Sequence, residues 1–322
     1  MKGRTLFQCI IIATLHVFFF GHSARASNTF VQVRDTSITE IRDTSSILDS
    51  LYGLREKTKK SYFQASLTYE NDNVYLGRKD STAIPYLTPA LGYYHKSGLY
   101  LQVSLGYLNE GSSSRIDEFS IEGGYVISKG NYDGQFNATK YYYSSLSTNI
   151  NSEISGSLAF DNGYDLGLVR PSLNGTLNFG KKTDYILGFG IDHSFQAIDE
   201  KLEIDPKIAV NGGTQNFYND YYKNRRYTVK RKGQKPIVGV AKVSGEVLNP
   251  DVFKILDYEG SVSLNYVVGK FTFNLTPTYA VPVNPSTIAI TETLQSGIVL
   301  NKTHSEKLSN TLYWTVGGQF NF

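Results

Sequence analysis

Acidic residues recur at alternate positions along several segments of this 322-residue chain, opposite apolar residues. One basic residue, Lys207, follows the same pattern. If these positions line a common space, one sign of charge surrounds it, and rings of carboxylates favour cations. Alternatively, many of the acids lie at rims in water, or pair with basic loops and the basic segment 55–60. The acidic positions are Glu70, Glu118, Glu122, Asp133, Asp161, Asp165, Asp192, Glu203, Asp205 and Glu259.

The histidines offer little for catalysis. Beyond residue 26 the chain keeps His95, His193 and His304. Asp192-His193-Ser194 has the residue types of a hydrolytic triad, but neighbours on a strand point to opposite faces and cannot form one by themselves. The sequence has no glycine motif for phosphates or dinucleotides and no His/Cys metal spacing, and its one cysteine is Cys9. We therefore expect no enzyme, no metal and no cofactor.

The first 26 residues have the layout of a cleaved signal peptide. Lys2 and Arg4 precede a mostly apolar run over 6–20, and Ala24-Arg25-Ala26 supplies small residues for cleavage. An uncleaved anchor helix is the alternative, although the run is shorter than the roughly 20 residues that span a bilayer. Removing the three basic residues here from 32 leaves 29 against 29 acids, a neutral mature chain. This balance argues against a globally basic nucleic-acid binder.

The elements that would position the acids are β-strands, indicated by apolar–polar alternation from residue 62 onward. Leu99, Leu101 and Val103 share one face, with Tyr100 and Gln102 on the other. Without helices, only a closed barrel satisfies every backbone group in lipid. We predict an all-β, antiparallel transmembrane β-barrel of about 12 strands (10–14) over residues 61–322. The expected strands are 62–71, 84–95, 99–109, 117–127, 132–143, 153–168, 171–180, 184–196, 201–215, 253–268, 270–281 and 309–322.

The predicted connections alternate between short and long, with tight turns near 95–98, 128–131, 169–171, 198–200 and 269–270. Outer-membrane barrels have short periplasmic turns and longer outer loops. An even strand number also leaves both termini in the periplasm. Pro277 lies inside the strand 270–281 and removes a ladder donor, so we expect a β-bulge there.

The last strand carries the sharpest signal, because Trp314, Phe320 and the C-terminal Phe322 lie on one alternating apolar face. Here the chain resembles the Gram-negative outer-membrane β-barrels, whose last strand typically ends in phenylalanine. The resemblance implies an outer-membrane location, recognition of this strand by the barrel-assembly machinery, and contact with membrane lipid and lipopolysaccharide. It assigns neither a subfamily nor an oligomeric state. Gly190 to Phe195 departs from the Gly-x-x-His-x-Ser-Asn-Gly pattern of outer-membrane phospholipases.

Two segments do not follow the strand pattern. Residues 27–60 are expected to be a periplasmic lead-in, either a short helix or a disordered stretch, and a plug inside the barrel is a further alternative. The long loop 216–252 begins with tyrosines interleaved among basic residues. On an outer surface it would meet lipopolysaccharide phosphates, fold onto the acidic lumen, or remain solvated; contact with nucleic acid is not expected there.

These features lead to two hypotheses of different classes. The first is a narrow pore or channel for small hydrophilic or cationic solutes, since twelve strands fall between filled barrels and wide pores. The second is a non-conducting barrel that serves as a surface-loop scaffold, adhesin or assembly component. An outer-membrane hydrolase ranks third.

Overall fold

The computed structural model describes residues 60–80, 83–109, 114–226 and 240–322. The expected signal peptide 1–26 and all of the expected lead-in 27–60 except its last residue lie outside the described residues. The described chain therefore covers the predicted barrel and most of its connections.

The described residues form eighteen strands, one short α-helix and a π-helical segment, Tyr222–Arg226, that follows it. None of the described helices is long and apolar enough to cross a membrane. The elements are β1 (Tyr62–Glu70), β2 (Val74–Tyr75), β3 (Arg78–Lys79), β4 (Tyr86–Tyr94), β5 (Leu99–Leu108), β6 (Arg115–Lys129), β7 (Tyr132–Tyr143), β8 (Gly156–Tyr164), β9 (Arg170–Phe179), β10 (Thr183–Asp192), β11 (Phe195–Ala197), β12 (Leu202–Gly213), α1 (Asn216–Tyr221), β13 (Val240–Val247), β14 (Lys254–Val268), β15 (Phe271–Pro282), β16 (Thr287–Leu294), β17 (Val299–Ser305) and β18 (Thr311–Asn321).

Twelve of these strands close into an antiparallel barrel. Around the wall the order is β1, β4, β5, β6, β7, β8, β9, β10, β12, β14, β15 and β18, and β18 pairs with β1 to complete the circle. The predicted fold class and strand count are confirmed. The short strand β11 pairs with the beginning of β12.

The alternation that predicted the strands also sets their two faces. In β5 each odd-numbered residue is exposed on the outside and each even-numbered residue is buried inside. Leu101 is 56 % exposed and Phe273 on β15 is 52 % exposed, values that belong to a surface facing lipid rather than water. The outer apolar belt has a member on every barrel strand: Leu67, Leu91, Leu101, Ile121, Phe136, Leu158, Leu173, Leu187, Ile208, Val262, Phe273 and Val316.

The first and last barrel strands join through the residues of the predicted assembly strand. The backbones of Phe63 and Phe322 exchange hydrogen bonds of 3.1 and 3.0 Å. The ring of Phe320 packs between those of Phe271 and Phe322, at centroid distances of 4.7 and 5.5 Å. The C-terminal aromatic residues therefore extend the pairing of β1 with β18 as far as Phe322, and their rings cover this seam of the barrel.

The two ends of the barrel differ in the length of their connections. The turn end carries the beginning of β1, the end of β18 and the short turns that follow β4, β6, β8, β11 and β14. At Gly98, Gly130 and Gly269 the backbone φ is positive, at 110°, 61° and 62°, which glycine adopts without the steric cost of a side chain. The loop end carries the longer connections, apart from the three-residue connection 180–182 between β9 and β10. Short and long connections therefore mostly alternate, as predicted.

One sequence expectation about the wall is wrong. At Pro277 the pairing of β14 with β15 is interrupted but resumes in the same register, so no bulge forms. The register shifts instead between β5 and β6, where Asp117 is the extra residue opposite Gly106 and Tyr107, and between β12 and β14 after Asn211.

The long connections contain strands of their own: β2 pairs with β3, and β13, β16 and β17 form a three-stranded outer sheet.

The loop end of the barrel is filled by its own connections. We use the word plug for the β2–β3 hairpin with its flanks (72–80), the connection 147–154 and helix α1. Tyr75, Ile150 and Phe217 from these three segments form one buried apolar cluster. The same cluster includes Ile186 and Leu256, which belong to wall strands β10 and β14. Because these wall residues are buried against the plug, it lies within the mouth of the barrel.

Candidate functional site

The inward face of the wall holds nearly all the charged residues proposed to line a lumen. Glu70 is at the loop-end limit of β1, whereas Asp165 lies beyond the end of β8, in a turn where its Oδ1 accepts from the Gly167 amide at 2.6 Å. Asp133 and Asp161 face inward and are partly buried. The inward-facing residues that are buried are Glu118, Glu122, Asp192, Glu203, Asp205, Lys207 and Glu259.

Arg170 joins two of these acids at the turn end. Its Nη1 is 2.9 Å from Asp192 Oδ2, its Nε donates to Asp133 Oδ1 at 3.2 Å, and its Nη2 donates to Asp133 Oδ2. A forked pairing of this kind is among the stronger charge-assisted contacts. The sequence analysis put Arg170 in a tight turn, so this residue was missed. The alternation of Arg170 with Ser172 and Asn174 was the signal that could have identified it.

Glu122 is the centre of a second network, midway along the wall. Tyr100 donates to Glu122 Oε1 at 2.6 Å, and Thr139 donates to Oε2 at 3.2 Å. Gln135 in turn donates to the Tyr100 hydroxyl at 2.5 Å. The Tyr100 ring stacks on that of Tyr94 at a centroid distance of 5.5 Å. Large polar side chains therefore reach into the lumen and narrow it.

At the loop end, wall carboxylates hold the plug in place. Asp184 on β10 accepts from the Thr214 hydroxyl at 2.6 Å and from the amides of Asn216 and Phe217 at 2.7 Å each. The free amides at the start of a helix need such acceptors. Asp117 on β6 accepts from the Ser147 hydroxyl at 2.6 Å. These acids were not among the predicted site residues, because their partners come from distant connections.

Arg78, at the tip of the plug hairpin, is the most extensively bonded plug residue. Its guanidinium donates to the carbonyls of Leu256, Val283 and Asn284 at 3.3, 3.3 and 3.2 Å, which belong to the wall and the start of an outer connection. It also donates to Leu76 within the hairpin at 3.1 Å. Its side chain is 1 % exposed. Arg78 therefore fixes the hairpin to the wall.

Glu306 ties the outer sheet to the same place. Its carboxylate lies 3.4 Å from Arg78 Nε, accepts from the Tyr218 hydroxyl at 2.7 Å and accepts from the Ser286 amide at 3.0 Å. Burial raises the pKa of the Tyr218 phenol well above its ordinary range, and the neighbouring Glu306 raises it further. Tyr218 therefore stays protonated and serves as a donor. Glu306 connects hairpin, helix and outer sheet.

Two cavities flank the filled interior. A small one of about 20 Å³, large enough for a single water molecule, lies near the turn end between Asp133, Asp161, Arg170, Asn174 and Lys207. A larger one of about 480 Å³ lies at the loop end, between the plug and the segment that follows the outer sheet. Most inward-facing residues between them are buried, so the described lumen is closed in this conformation.

The residues once considered for hydrolysis are separated by the strand geometry. Asp192 points inward to Arg170, whereas the His193 ring packs edge-on against Phe195 at 4.6 Å. His95 lies in a turn, where its Nδ1 is 2.8 Å from Ser97 Oγ. Across the described ranges, no group of three or more His, Cys, Asp or Glu residues is arranged to hold a metal ion.

No protein-family model matches the chain, and neither does any curated protein. Among solved structures, the KdgM porin is 9 % identical, with a TM-score of 0.41 over 80 % of this chain and 99 % of the porin. The NanC porin is 8 % identical, with a TM-score of 0.41 over 81 % of this chain and 100 % of the porin. LpxR from Salmonella typhimurium is 9 % identical, with a TM-score of 0.42 over 80 % of this chain and 100 % of LpxR. Similarity at this level carries no information on activity.

The location follows from the wall itself. Its strands close without an edge, its outer face is apolar on every strand, and its connections are short at one end and mostly long at the other. A bilayer accepts strands in this closed form, and these are the features of outer-membrane barrels. The protein is an integral outer-membrane β-barrel.

Proposed function

We propose that this barrel is a narrow channel for small hydrophilic or cationic solutes, held closed by its own plug. The observation that carries the proposal is the excess of carboxylates on the inward face. Arg170 and Lys207 are the basic side chains set deep in the wall. The buried acids of the wall are Glu70, Asp117, Glu118, Glu122, Asp184, Asp192, Glu203, Asp205, Asp257 and Glu259.

This excess of carboxylates would destabilise a permanently dry interior, but it is favourable when water fills the lumen. Moving a carboxylate out of water costs several kcal/mol unless a positive partner compensates. The two deep basic side chains are fewer than the inward acids. Water and mobile cations would compensate them when the lumen opens, and the same acids would then attract cations over anions.

The plug is built as a removable part rather than as a core. It is formed by connections and one six-residue helix, and polar contacts such as those of Arg78 and Asp184 attach it to the wall. The barrel closes without the plug, because each wall strand pairs through its backbone hydrogen bonds with its neighbouring wall strands. Releasing the hairpin would therefore open the mouth while leaving the wall intact.

A planar-bilayer experiment tests this proposal. The intact protein should show rare openings, and a variant in which residues 73–80 are replaced by a short Gly-Ser linker should conduct steadily. A matched control shortens the β16–β17 hairpin at its exposed tip, 295–298, and should behave as the intact protein does. Absence of current from the hairpin-deleted variant, when it is folded and heat-modifiable, would refute the channel.

A non-conducting barrel is the second candidate, because the interior is filled by side chains at mid-height as well as by the plug. Glu122 with Tyr100, and Ser104 with Ser120 at 2.6 Å, bridge neighbouring strands there. On this reading the outer sheet of β13, β16 and β17 is the functional surface. The same conductance experiment separates the two candidates, since a scaffold stays silent after the plug hairpin is removed.

The contacts with other envelope components are proposed on the same basis. Strand β18, with Trp314, Phe320 and Phe322, would be the segment that the barrel-assembly machinery recognises. Outer-membrane lipid would cover the apolar belt, and lipopolysaccharide would face the loop end. Most of the basic stretch of loop 216–252 that could meet its phosphates lies in residues 227–239, outside the described residues, whereas Lys223 is described and lies 3.0 Å from Glu246.

A further inference from the structure

The larger cavity has the size and lining of a small-molecule site. Its volume of about 480 Å³ is within the range of ligand pockets, roughly 300–1,000 Å³. One side is formed by the plug hairpin and helix α1, and the other by the segment that runs from β17 to β18. It lies at the loop end of the barrel, on the side of the membrane that carries the outer sheet.

Basic groups in this cavity have donors that the described structure leaves unused. Arg78 Nε is buried and makes no hydrogen bond, although it lies 3.4 Å from Glu306 Oε2 in an ion pair. Lys307 and His304 also line the cavity; both are exposed, and neither side chain has an ion pair or hydrogen bond within the described residues. The buried Arg78 donor is costly without an acceptor, and an incoming acceptor would remove that cost, whereas Lys307 and His304 would exchange water for the ligand.

The acids of the cavity, by contrast, are already engaged. Asp80 accepts a hydrogen bond from the Tyr221 hydroxyl, and Glu306 accepts from Tyr218 and from the Ser286 amide. Lys79 is bound to Asp72 at 2.9 Å. The unused capacity of the cavity is therefore that of donors and positive charge, which is the requirement of an anion.

The apolar residues of the lining indicate a ligand that has a ring or another apolar portion as well as a charged group. Tyr218 and Tyr222 meet edge-on with centroids 5.0 Å apart, and Ile288 and Leu308 also line the cavity. Aromatic rings offer a large apolar surface on which a sugar or other ring can pack. A bare inorganic ion would leave these surfaces unused.

We propose that this cavity binds the phosphate group of a small phosphorylated ligand, such as a sugar phosphate. The phosphate would be held by Arg78 Nε, Lys307 and His304, and the ring would rest on Tyr218 and Tyr222. The proposal does not depend on conduction, because the cavity would exist equally in a non-conducting barrel. The phosphate could belong to a soluble ester or to the headgroup of lipopolysaccharide.

Isothermal titration calorimetry with glucose 6-phosphate as the probe, and glucose as its uncharged match, tests the site. We expect heat of binding with the phosphate ester and none with glucose. The double variant Lys307→Gln with His304→Gln should bind at least roughly tenfold more weakly, as expected for loss of charge-assisted contacts. The control Lys302→Gln removes a neighbouring charge that pairs with Glu292 outside the cavity, and should leave binding unchanged.

The source of the phosphate is resolved by repeating the titration in nanodiscs. If a lipid headgroup occupies the cavity, lipopolysaccharide nanodiscs should weaken binding of the soluble ester relative to phosphatidylcholine nanodiscs. Equal binding in both would assign the site to a soluble ester. Absence of binding in detergent and in phosphatidylcholine, or equal binding by the double variant that migrates as a folded, heat-modifiable barrel, would overturn the proposal.

Discussion

Replacing Arg78 by alanine should release the plug and raise the conductance of the barrel. Arg78 donates three hydrogen bonds from the hairpin to carbonyls outside it, all between 3.2 and 3.3 Å. Hydrogen bonds to charged groups contribute about 1.5–3 kcal/mol each, and bonds as long as these belong near the lower value. The loss is then about 4–5 kcal/mol, before counting the buried Glu306 left without its positive neighbour.

At about 1.4 kcal/mol for each factor of ten, this loss favours the released hairpin by roughly a thousandfold or more. The assay is single-channel recording, in which the open probability of Arg78→Ala is compared with that of the intact protein. Lys79→Ala is the matched control, since it removes the next charge along, whose side chain is 35 % exposed and makes a single ion pair with Asp72 at 2.9 Å.

The reasoning is refuted if Arg78→Ala and Lys79→Ala behave alike. Both variants must first migrate as folded, heat-modifiable barrels, so that a silent recording cannot reflect loss of the wall. An equal open probability would mean that Arg78 does not hold the mouth closed.

Three further outcomes follow from the same structure. Val103→Arg, in the middle of the outward face of β5, should lower the free energy of unfolding from lipid vesicles by about 2–4 kcal/mol. Leu99→Arg, near the rim, should lower it by only about 0–1 kcal/mol. Equal losses would contradict the position of Val103 deep in the bilayer and of Leu99 near its surface. Burial raises the pKa of Asp220 in α1, so its ionised form weakens the closed plug as pH rises above the unfolded-state value. Asp220→Asn should therefore slow hydrogen exchange of α1 at neutral pH and have no effect near about pH 3, and an unchanged or faster exchange at neutral pH would argue against it. Deleting Phe322 should lower the amount of assembled barrel in outer membranes without lowering synthesis, and unchanged assembly would remove β18 as the recognised strand.

The wall of the barrel could be predicted from the sequence because the alternation within each strand indicates which side chains face lipid and which face the lumen. Leu101, Val103 and Gln102 show period-two alternation without reference to any distant residue. The expected bounds 132–143 coincide with β7, and most others differ by one or two residues. In lipid the alternation leaves few alternatives, since a one-residue slip would turn every polar side chain outward.

The plug could not be predicted, because it depends on contacts between segments far apart in the chain. Arg78 was read as part of an outer loop, yet its partners lie about two hundred residues away, such as Val283 and Asn284. Asp184 was not considered for the site, although its acceptor role requires α1, thirty residues later in the sequence. The apolar–polar alternation of neighbouring residues does not indicate whether a loop folds outward into water or back into the barrel.

The most direct test of an acid-lined lumen is the reversal potential of the plug-deleted barrel in a potassium chloride gradient. The carboxylates on the inward wall predict a clear preference for potassium over chloride. The preference should fall towards neutrality when Glu203→Gln and Asp205→Asn are combined, at positions where both side chains are buried in the wall. A current that prefers chloride, or one that ignores these two substitutions, would contradict the proposed function.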